Sequence, residues 1–328
     1  MRYELDVVVT RGAVLESRHR VHAAVVDGRG ELIGVAGDAS LLTTWRSCAK
    51  PMQAALIVEA GIPDAVGWGD DELALACASH AGEPEHIAIA SRMLESIGLE
   101  EGDLACGPHE PLSKRGSKLL RESGLHPTRL HNNCSGKHAA MLAFAVRCGE
   151  GALGYQRAEH SVQRATLAMV SRWTGIAANR VLVAVDGCGV TTFGLPLDAM
   201  AAAFARFAAA AERGEEVPSR ILGAMRSRPF LLGGTDRFDT VLLEETDGDV
   251  IAKVGAEGMH SVAIPTRGLG LAIKVEDGGQ RAQHVAVIRL LQLLGVLPED
   301  LPARLAAFAR TPVVNTRGET VGELAPIA

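Results

Sequence analysis

The sequence predicts an α+β fold in which helices pack on a mostly antiparallel sheet. Runs of β-branched and aliphatic residues occur near both ends of the chain, within residues 5–36 and 250–275. The middle has helical spacing with Gly or Pro at its boundaries. Strands at both ends of a helical middle disfavour alternating β-α-β units. We therefore predict a single unit over residues 1–328, with a possible helical subregion at about 60–175.

The first elements are an antiparallel hairpin and three helices. Apolar residues at 22–26 and 31–35 flank the turn Asp27-Gly28-Arg29-Gly30, and a further strand lies at 7–9. Helical texture then begins near Thr43. We predict three helices, at 49–60, 70–78 and 84–97. Acidic residues or Pro mark where helices begin, and Gly marks where helices end.

The later elements include a strand predicted to be buried. Residues 181–185 form a short, continuous apolar run that ends in Asp186-Gly187-Cys188-Gly189. Ser135 is placed to cap a helix that runs to about Cys148. The other predictions are helices at 158–173, 198–211 and 281–294, and strands at 250–254, 261–264 and 269–275.

Composition and charge exclude several function classes. The formal net charge is −6, so the chain has no excess of positive charge for a phosphate backbone or an anionic bilayer. With 47% hydrophobic and 22% charged residues the chain has an ordinary globular composition. No stretch approaches the ~18 apolar residues of a membrane span, and we expect no signal segment at the start, where charged residues alternate with others. We predict a cytoplasmic protein that binds neither nucleic acid nor membrane, with its six cysteines as thiols.

The first candidate for chemistry is the pair Ser47 and Lys50. A spacing of three residues puts both side chains on one face of a helical turn, where a neutral amine could accept the serine proton. Pro51 restricts Lys50 to the first helical turn or a 3₁₀ turn, so the pair is predicted at a helix N-terminus. The same four-residue pattern also occurs at ordinary helix starts.

Two further candidates are Ser79 and Lys253. Ser79 lies between two predicted helices, and Lys253 lies on a late strand two residues before Gly255. Together with Ser47 and Lys50 they follow the order of the three elements of penicillin-recognising serine enzymes. The second element lacks its Asn, and the third lacks a hydroxyl residue between Lys and Gly. These departures disfavour a β-lactamase.

The fourth candidate is the polar octet 131–138, His-Asn-Asn-Cys-Ser-Gly-Lys-His. A capping loop would explain Ser135 and Gly136 but not the other polar residues. At this point the sequence resembles the rhizobial-type L-asparaginases, the asparaginase II group. The resemblance covers nearly the whole chain and rests on seven motifs, at 47–51, 77–83, 131–138, 186–189, 233–234, 253–258 and 274–278.

The resemblance implies a serine-β-lactamase-like fold, a homodimer, and hydrolysis of L-asparagine to L-aspartate and ammonia. It also implies roles for individual residues. Ser47 with Lys50 and Ser79 with Lys253 would be the catalytic pairs. The predicted ligands of one Zn²⁺ ion are Cys134, Lys137 and Cys188, and the residues predicted to line the substrate site are Arg46, Glu83, His138 and Asp186. Asp236 departs from the family pattern, since Gly is expected there.

Two serine–lysine pairs could supply the chemistry of amide hydrolysis. The reaction needs a nucleophile, a base for its proton and an acid for the leaving nitrogen. One lysine must be neutral for part of the cycle, and two ammonium groups in one pocket lower each other's pKa. Of the two serines, Ser47 is favoured here as the attacking one, because Lys50 follows it in the same turn.

Alternatives remain open from the sequence. The same serine–lysine groups would suit a serine glutaminase or a penicillin-type amide hydrolase. A protein of another class, which binds amino acids or zinc without catalysis, would use the octet and the cysteines only as ligands. Cys134 and Cys188 could also form a disulfide or stay as two buried thiols.

Overall fold

Twelve strands form three sheets in residues 1–327, the part of the chain that the computed structural model describes. The strands pair antiparallel throughout the three sheets. The strands are β1 Val7–Arg11, β2 Val14–His19, β3 Val21–Asp27, β4 Leu32–Ala36, β5 Leu42–Thr44, β6 Leu182–Val185, β7 Thr191–Pro196, β8 Ile251–Val254, β9 Met259–Ile264, β10 Leu269–Val275, β11 Thr311–Val314 and β12 Thr320–Pro326.

The same residues contain thirteen α-helices, and several single 3₁₀ turns connect them. The predicted α+β fold with a mostly antiparallel sheet is therefore confirmed. Within residues 1–327, none of the helices combines the length and the apolar character that a membrane span requires. The helices are α1 Lys50–Glu59, α2 Ile62–Val66, α3 Asp70–Cys77, α4 Pro84–Glu95, α5 Lys114–Glu122, α6 Ser135–Arg147, α7 Ser161–Thr174, α8 Leu197–Glu212, α9 Glu216–Ser227, α10 Pro229–Leu232, α11 Phe238–Glu245, α12 Gln280–Leu293 and α13 Ala303–Ala309.

A five-stranded sheet in the order β4-β3-β10-β9-β8 separates two apolar cores. Alternate residues of a strand point to opposite faces. In β10, Leu271 and Ile273 pack with α12, whereas Ala272 packs on the side of α8. At Gly270 a Cβ would lie 2.2 Å from the backbone of Ala201, so only glycine permits this close approach of helix and sheet.

The two smaller sheets have the orders β11-β12-β1-β2 and β5-β7-β6. The chain termini meet in the first of them, where Val7 pairs with Pro326. β5 leads directly into the 3₁₀ turn Arg46–Ala49 and then into α1. The second small sheet therefore positions the Ser47–Lys50 segment.

Most predicted elements are confirmed. The hairpin is β3 and β4, with Ala24 opposite Val35, and the predicted helices at 49–60, 70–78 and 84–97 are α1, α3 and α4. Lys50 is the first residue of α1 and directly follows the 3₁₀ turn. Five strands, β2, β5, β7, β11 and β12, are not predicted from the sequence.

Two local predictions are wrong. The strand predicted to be buried at 181–185 is β6, an edge strand with Leu182, Val183 and Val185 exposed at 57%, 43% and 78%. An apolar run shows that a segment is suited to a strand, but its burial depends on what packs against it. The N-cap of α6 is Cys134, not Ser135, whose hydroxyl contacts His80 Nε2 at 2.9 Å instead.

Candidate active site

Ser79 lies in the connection between α3 and α4 and is 6% exposed. Helix α3 ends because Ala78 takes an extended backbone conformation. The Ser79 N–H donates to the carbonyl of Leu232 at 3.2 Å, and the His80 N–H donates to the carbonyl of Asn133 at 3.3 Å. These two bonds fix the backbone on either side of the serine, and its hydroxyl is left for side chains.

Lys50 reaches Ser79 from the start of α1. Its amine is fully buried and donates to Ser79 Oγ at 3.1 Å, to the carbonyl of Asn133 at 3.4 Å and to the carbonyl of Ala78. Ser47 is half-buried, and its side chain has no hydrogen bond to an amine among residues 1–327. The structure therefore brings Lys50 to Ser79 and not to Ser47. The predicted Ser47–Lys50 contact is absent because the Lys50 amine is held by the Ser79 hydroxyl and by two main-chain carbonyls.

Lys253 contacts the same hydroxyl from β8. Its fully buried amine lies 2.8 Å from Ser79 Oγ and 2.8 Å from the carbonyl of Val254. The structure thus brings Ser79 and Lys253 together, as the predicted pair requires. One hydroxyl group contacts two lysine amines, an arrangement in which a proton can move between oxygen and nitrogen.

The environment of Lys253 makes its amine a base. Burial and the positive charge of Lys50 lower its pKa to about 8, against the opposing effect of Asp239. An unburied lysine has a pKa near 10.4. A substantial fraction of the Lys253 amine is therefore neutral at mildly alkaline pH.

Cys134, Lys137 and Cys188 also lie together. The Lys137 amine is 3.0 Å from Cys188 Sγ. The neighbouring Cys134 thiol and the charge of Lys137 lower the pKa of Cys188 to about 5, whereas the interaction with Cys188 and burial raise the pKa of Cys134 to about 12. All six cysteines of the chain are free thiols.

The donor set of these three residues suits a zinc ion. Two sulfurs and one nitrogen match the ligands that zinc prefers, and Cys188 already favours the thiolate. Lys137 would have to lose a proton, although the charges of the two cysteines raise its pKa despite burial. No group of three or more His, Cys, Asp or Glu residues placed to hold a metal is found in the described part of the chain. A site here therefore depends on the lysine amine.

Arg46 and Asp186, both predicted to line the substrate site, bind each other. The Arg46 Nε donates to Asp186 Oδ1 at 2.7 Å. Asp186 Oδ2 lies 3.8 Å from Cys188 Sγ, so the ion pair borders the cysteine cluster. Arg46 has a φ of 51°, a left-handed backbone that a non-glycine residue adopts at a cost of about 1 kcal/mol. Such strain is common at functional sites.

Glu83 anchors a loop. Its carboxylate is fully buried and accepts from the N–H and hydroxyl of Thr235, both at 2.8 Å, and from Arg115. The carboxylate thereby connects the start of α4 to the loop that follows α10. A direct contact of Glu83 with substrate stays a prediction.

His138 is fully buried in α6 and neutral. Its Nδ1 lies 2.6 Å from the hydroxyl of Tyr155, which also accepts the N–H of Ala105 at 2.9 Å. Burial and the charge of Lys137 lower the pKa of His138 to about 3, and its Nε2 has no partner among residues 1–327. An unpartnered buried nitrogen is consistent with its predicted place at the substrate site.

A cavity of about 80 Å³ opens beside Ser79 and is lined by Asp236, Arg237 and Val254 among others. Asp236 has a φ of 55°, the left-handed conformation that glycine adopts most easily. The turn therefore has the left-handed backbone conformation expected for Gly, because Asp also tolerates that conformation. Asp236 and Arg237 place charges at the cavity wall.

Two residues of the site were missed from the sequence. Asn133 lies inside the octet, and its carbonyl contacts Lys50 while its Oδ1 accepts from Cys134 Sγ at 2.9 Å. Asp239 is buried in the first turn of α11 beside Val254. No motif marked Asp239, and only the packing of α11 on β8 brings it to the site.

A family model described as L-asparaginase II matches residues 7–326. Among solved structures, Mglu in its tris and glutamate form is 17% identical, with a TM-score of 0.39, and the match covers 87% of this chain and 61% of that one. Mglu in its native form with 4.3 M NaCl is 18% identical, with a TM-score of 0.40, and 86% and 62% are covered. This chain thus spans less than two thirds of these two Mglu chains. A comparison with curated proteins gives no significant match.

Proposed function

Because the chain belongs to the L-asparaginase II family, we propose that it is an amidohydrolase that converts L-asparagine to L-aspartate and ammonia. The observation that carries the proposal is the contact of two lysine amines with one serine hydroxyl. Lys253 and Lys50 lie 2.8 and 3.1 Å from Ser79 Oγ. This geometry combines a nucleophile with both a base and an acid.

In the proposed reaction Ser79 Oγ attacks the side-chain amide carbonyl. The hydroxyl proton passes to the neutral amine of Lys253, whose pKa near 8 suits it as the base. A lysine ammonium then donates a proton to the nitrogen, the C–N bond breaks, and ammonia leaves an aspartyl ester on Ser79. Water attacks that ester and gives a proton to the neutral lysine amine. The bond between the acyl carbon and Ser79 Oγ then breaks, the lysine ammonium returns a proton to Oγ, and L-aspartate is released.

Charged groups around the cavity support an amino-acid substrate. Asp236 and Arg237 line the cavity next to Ser79, and the Arg46–Asp186 pair lies near the cysteine cluster. An amino acid carries one ammonium and one carboxylate, so charges of both signs are needed to orient it. Ser47, one residue from Arg46, supplies a second hydroxyl and stays a candidate for the attacking role.

The decisive experiment is a steady-state ammonia assay on purified protein. We expect turnover of L-asparagine well above that of L-glutamine and of a β-lactam. Faster glutamine hydrolysis would indicate a serine glutaminase, and opening of the β-lactam would indicate a penicillin-type hydrolase. Binding of asparagine without turnover would contradict the proposal and favour a non-catalytic binding protein.

The activity is expected to rise with pH through about 8. The base must be deprotonated, and burial with the Lys50 charge lowers the pKa of Lys253 to about 8, so its neutral fraction increases through this range. A profile of kcat/KM against pH measures this acidic limb. A carboxylate base would instead give a plateau by about pH 6, and that result would contradict a lysine base.

We also propose that Cys134, Lys137 and Cys188 hold one Zn²⁺ ion. When bound, the ion would supply a fixed positive charge beside the substrate. The chain's own residues would orient the substrate there and exclude water. The proximity of the Lys137 amine to a sulfur that favours the thiolate supports this assignment.

Elemental analysis is expected to find about one zinc per chain. Cys188→Ser should lower the metal content and raise KM more than it lowers kcat, because Cys188 does not contact Ser79. Cys148→Ser is the control, since Cys148 is exposed and outside the cluster. Metal-free protein that stays fully active with a strong chelator would disprove the metal role.

A homodimer and a cytoplasmic location stay predictions. β6 supports self-association, because it is an edge strand with exposed apolar side chains. Sedimentation equilibrium measures the mass of the assembly, and a monomer at all concentrations would contradict the dimer.

A further inference from the structure

Asp239 is a buried carboxylate that the proposed reaction does not use. It is 3% exposed and lies in the first turn of α11. A buried charge is costly unless it is paired and hydrogen-bonded, so the contacts of this group show what it stabilises. The two oxygens have different partners.

One oxygen holds the end of β8. The N–H of Val254 donates to Asp239 Oδ2 at 2.7 Å. Val254 directly follows Lys253, and its carbonyl accepts from the Lys253 amine at 2.8 Å. The carboxylate therefore fixes the backbone that carries both the lysine and one acceptor of its amine.

The other oxygen faces a histidine. Asp239 Oδ1 lies 3.0 Å from His260 Nε2, although the alignment falls short of a hydrogen bond. His260 Nδ1 contacts the amide Nε2 of Gln283 at 3.2 Å, and this amide nitrogen can only donate. His260 Nδ1 therefore accepts, so the proton of the neutral ring lies on Nε2, the nitrogen next to the carboxylate.

We infer that Asp239 is a positioning residue of this site, whose carboxylate holds Lys253 against Ser79 through the Val254 amide. The inference rests on the proposed function, since it concerns the base of that reaction. His260 and Gln283 form the support behind the carboxylate. The assembly joins α11, β8, β9 and α12 behind one amine.

The charge of Asp239 has a second effect on the amine. Burial and Lys50 lower the pKa of Lys253, and Asp239 acts in the opposite direction. Removal of the negative charge should therefore lower the pKa further. The titratable groups that face Lys253 are Lys50 on α1, Asp239 on α11, Cys48 in the 3₁₀ turn, Cys77 on α3 and Cys134 before α6.

The test is the variant Asp239→Asn, which keeps an oxygen for the Val254 N–H but removes the charge. The acidic limb of kcat/KM is expected to move down by about one pH unit, the scale of an opposite charge within ~4–6 Å. Asp239→Glu keeps the charge but displaces it, so kcat should fall at least about tenfold while the limb stays in place. Glu244→Gln is the matched control, because Glu244 lies on the same helix and pairs with Arg304 at the surface.

A second readout separates this inference from the proposed function. The rate at which a fluorophosphonate probe labels the active-site serine depends on the same base, whichever amide is the substrate. If the probe labels the serine and Asp239→Asn shifts the acidic limb of the labelling rate, but asparagine is not turned over, the inference is supported and the asparaginase proposal is disproved. An unshifted limb in Asp239→Asn overturns the inference. The inference is also overturned if Asp239→Glu lowers the melting temperature but leaves kcat unchanged. If the wild type neither reacts with the probe nor hydrolyses asparagine, both proposals are overturned.

Discussion

Ser79→Ala is expected to lower kcat for asparagine by at least about 1,000-fold, the scale of losing a nucleophile from a serine hydrolase. The reason is that Ser79 Oγ is the oxygen that both the Lys50 and the Lys253 amines contact. The protein should stay folded, because the Ser79 N–H keeps its bond to Leu232. Steady-state assays with substrate in excess of KM measure the loss.

Ser47→Ala is the matched comparison for Ser79→Ala. Ser47 is half-buried and its hydroxyl contacts no amine in the described part of the chain, so this variant should retain at least about tenfold more activity. Mass spectrometry of the acylated peptide identifies the attacking serine directly. An acyl group on Ser47, or a Ser79→Ala enzyme with a tenth of the normal kcat, would transfer the nucleophile to Ser47.

Lys50→Met should have an effect of similar size, about 1,000-fold on kcat, because it removes one of the two amines at the hydroxyl. It should also move the acidic limb of the remaining activity to higher pH. The charge of Lys50 is a cause of the lowered pKa of Lys253, so its loss lets that pKa rise toward the ordinary value. This shift is opposite in sign to the one expected for Asp239→Asn.

Lys274→Met is the control for Lys50→Met, since Lys274 is also a buried lysine, on β10, and within residues 1–327 its amine donates only to main-chain carbonyls. The acidic limb of the pH profile should stay at its wild-type position in Lys274→Met. Melting temperatures of both variants separate a folding defect from a chemical one. If Lys50→Met keeps the wild-type limb, the two amines do not share one electrostatic environment.

Features that depend on local spacing were predictable from the sequence. The hairpin β3–β4 followed from two apolar runs around a turn, and the start of α1 followed from the position of Pro51 after Lys50. The places of Ser79 between two helices and of Lys253 on a late strand were likewise predicted from their neighbours in the chain. In each case the covalent neighbours determine which backbone conformations are allowed.

The pairing of the site residues could not be predicted in this way. Lys50 and Lys253 are separated from Ser79 by 29 and 174 residues, and they meet it because α1 packs on α3 and β8 packs on the 3₁₀ turn that leads into α1. The direction of a buried side chain depends on that packing, so the spacing of Ser47 and Lys50 suggested a contact that the fold does not make.

The α+β class, the helix and strand that carry the lysines, and the loop that carries Ser79 are thus predictable from neighbouring residues in the chain. Only the folded structure shows which hydroxyl receives both amines, that β6 is exposed, and that Asp239 lies behind Lys253. The difference arises because local conformation depends on residues a few positions apart. Burial, charge proximity and pKa depend instead on elements that are distant in the chain and become neighbours only on folding.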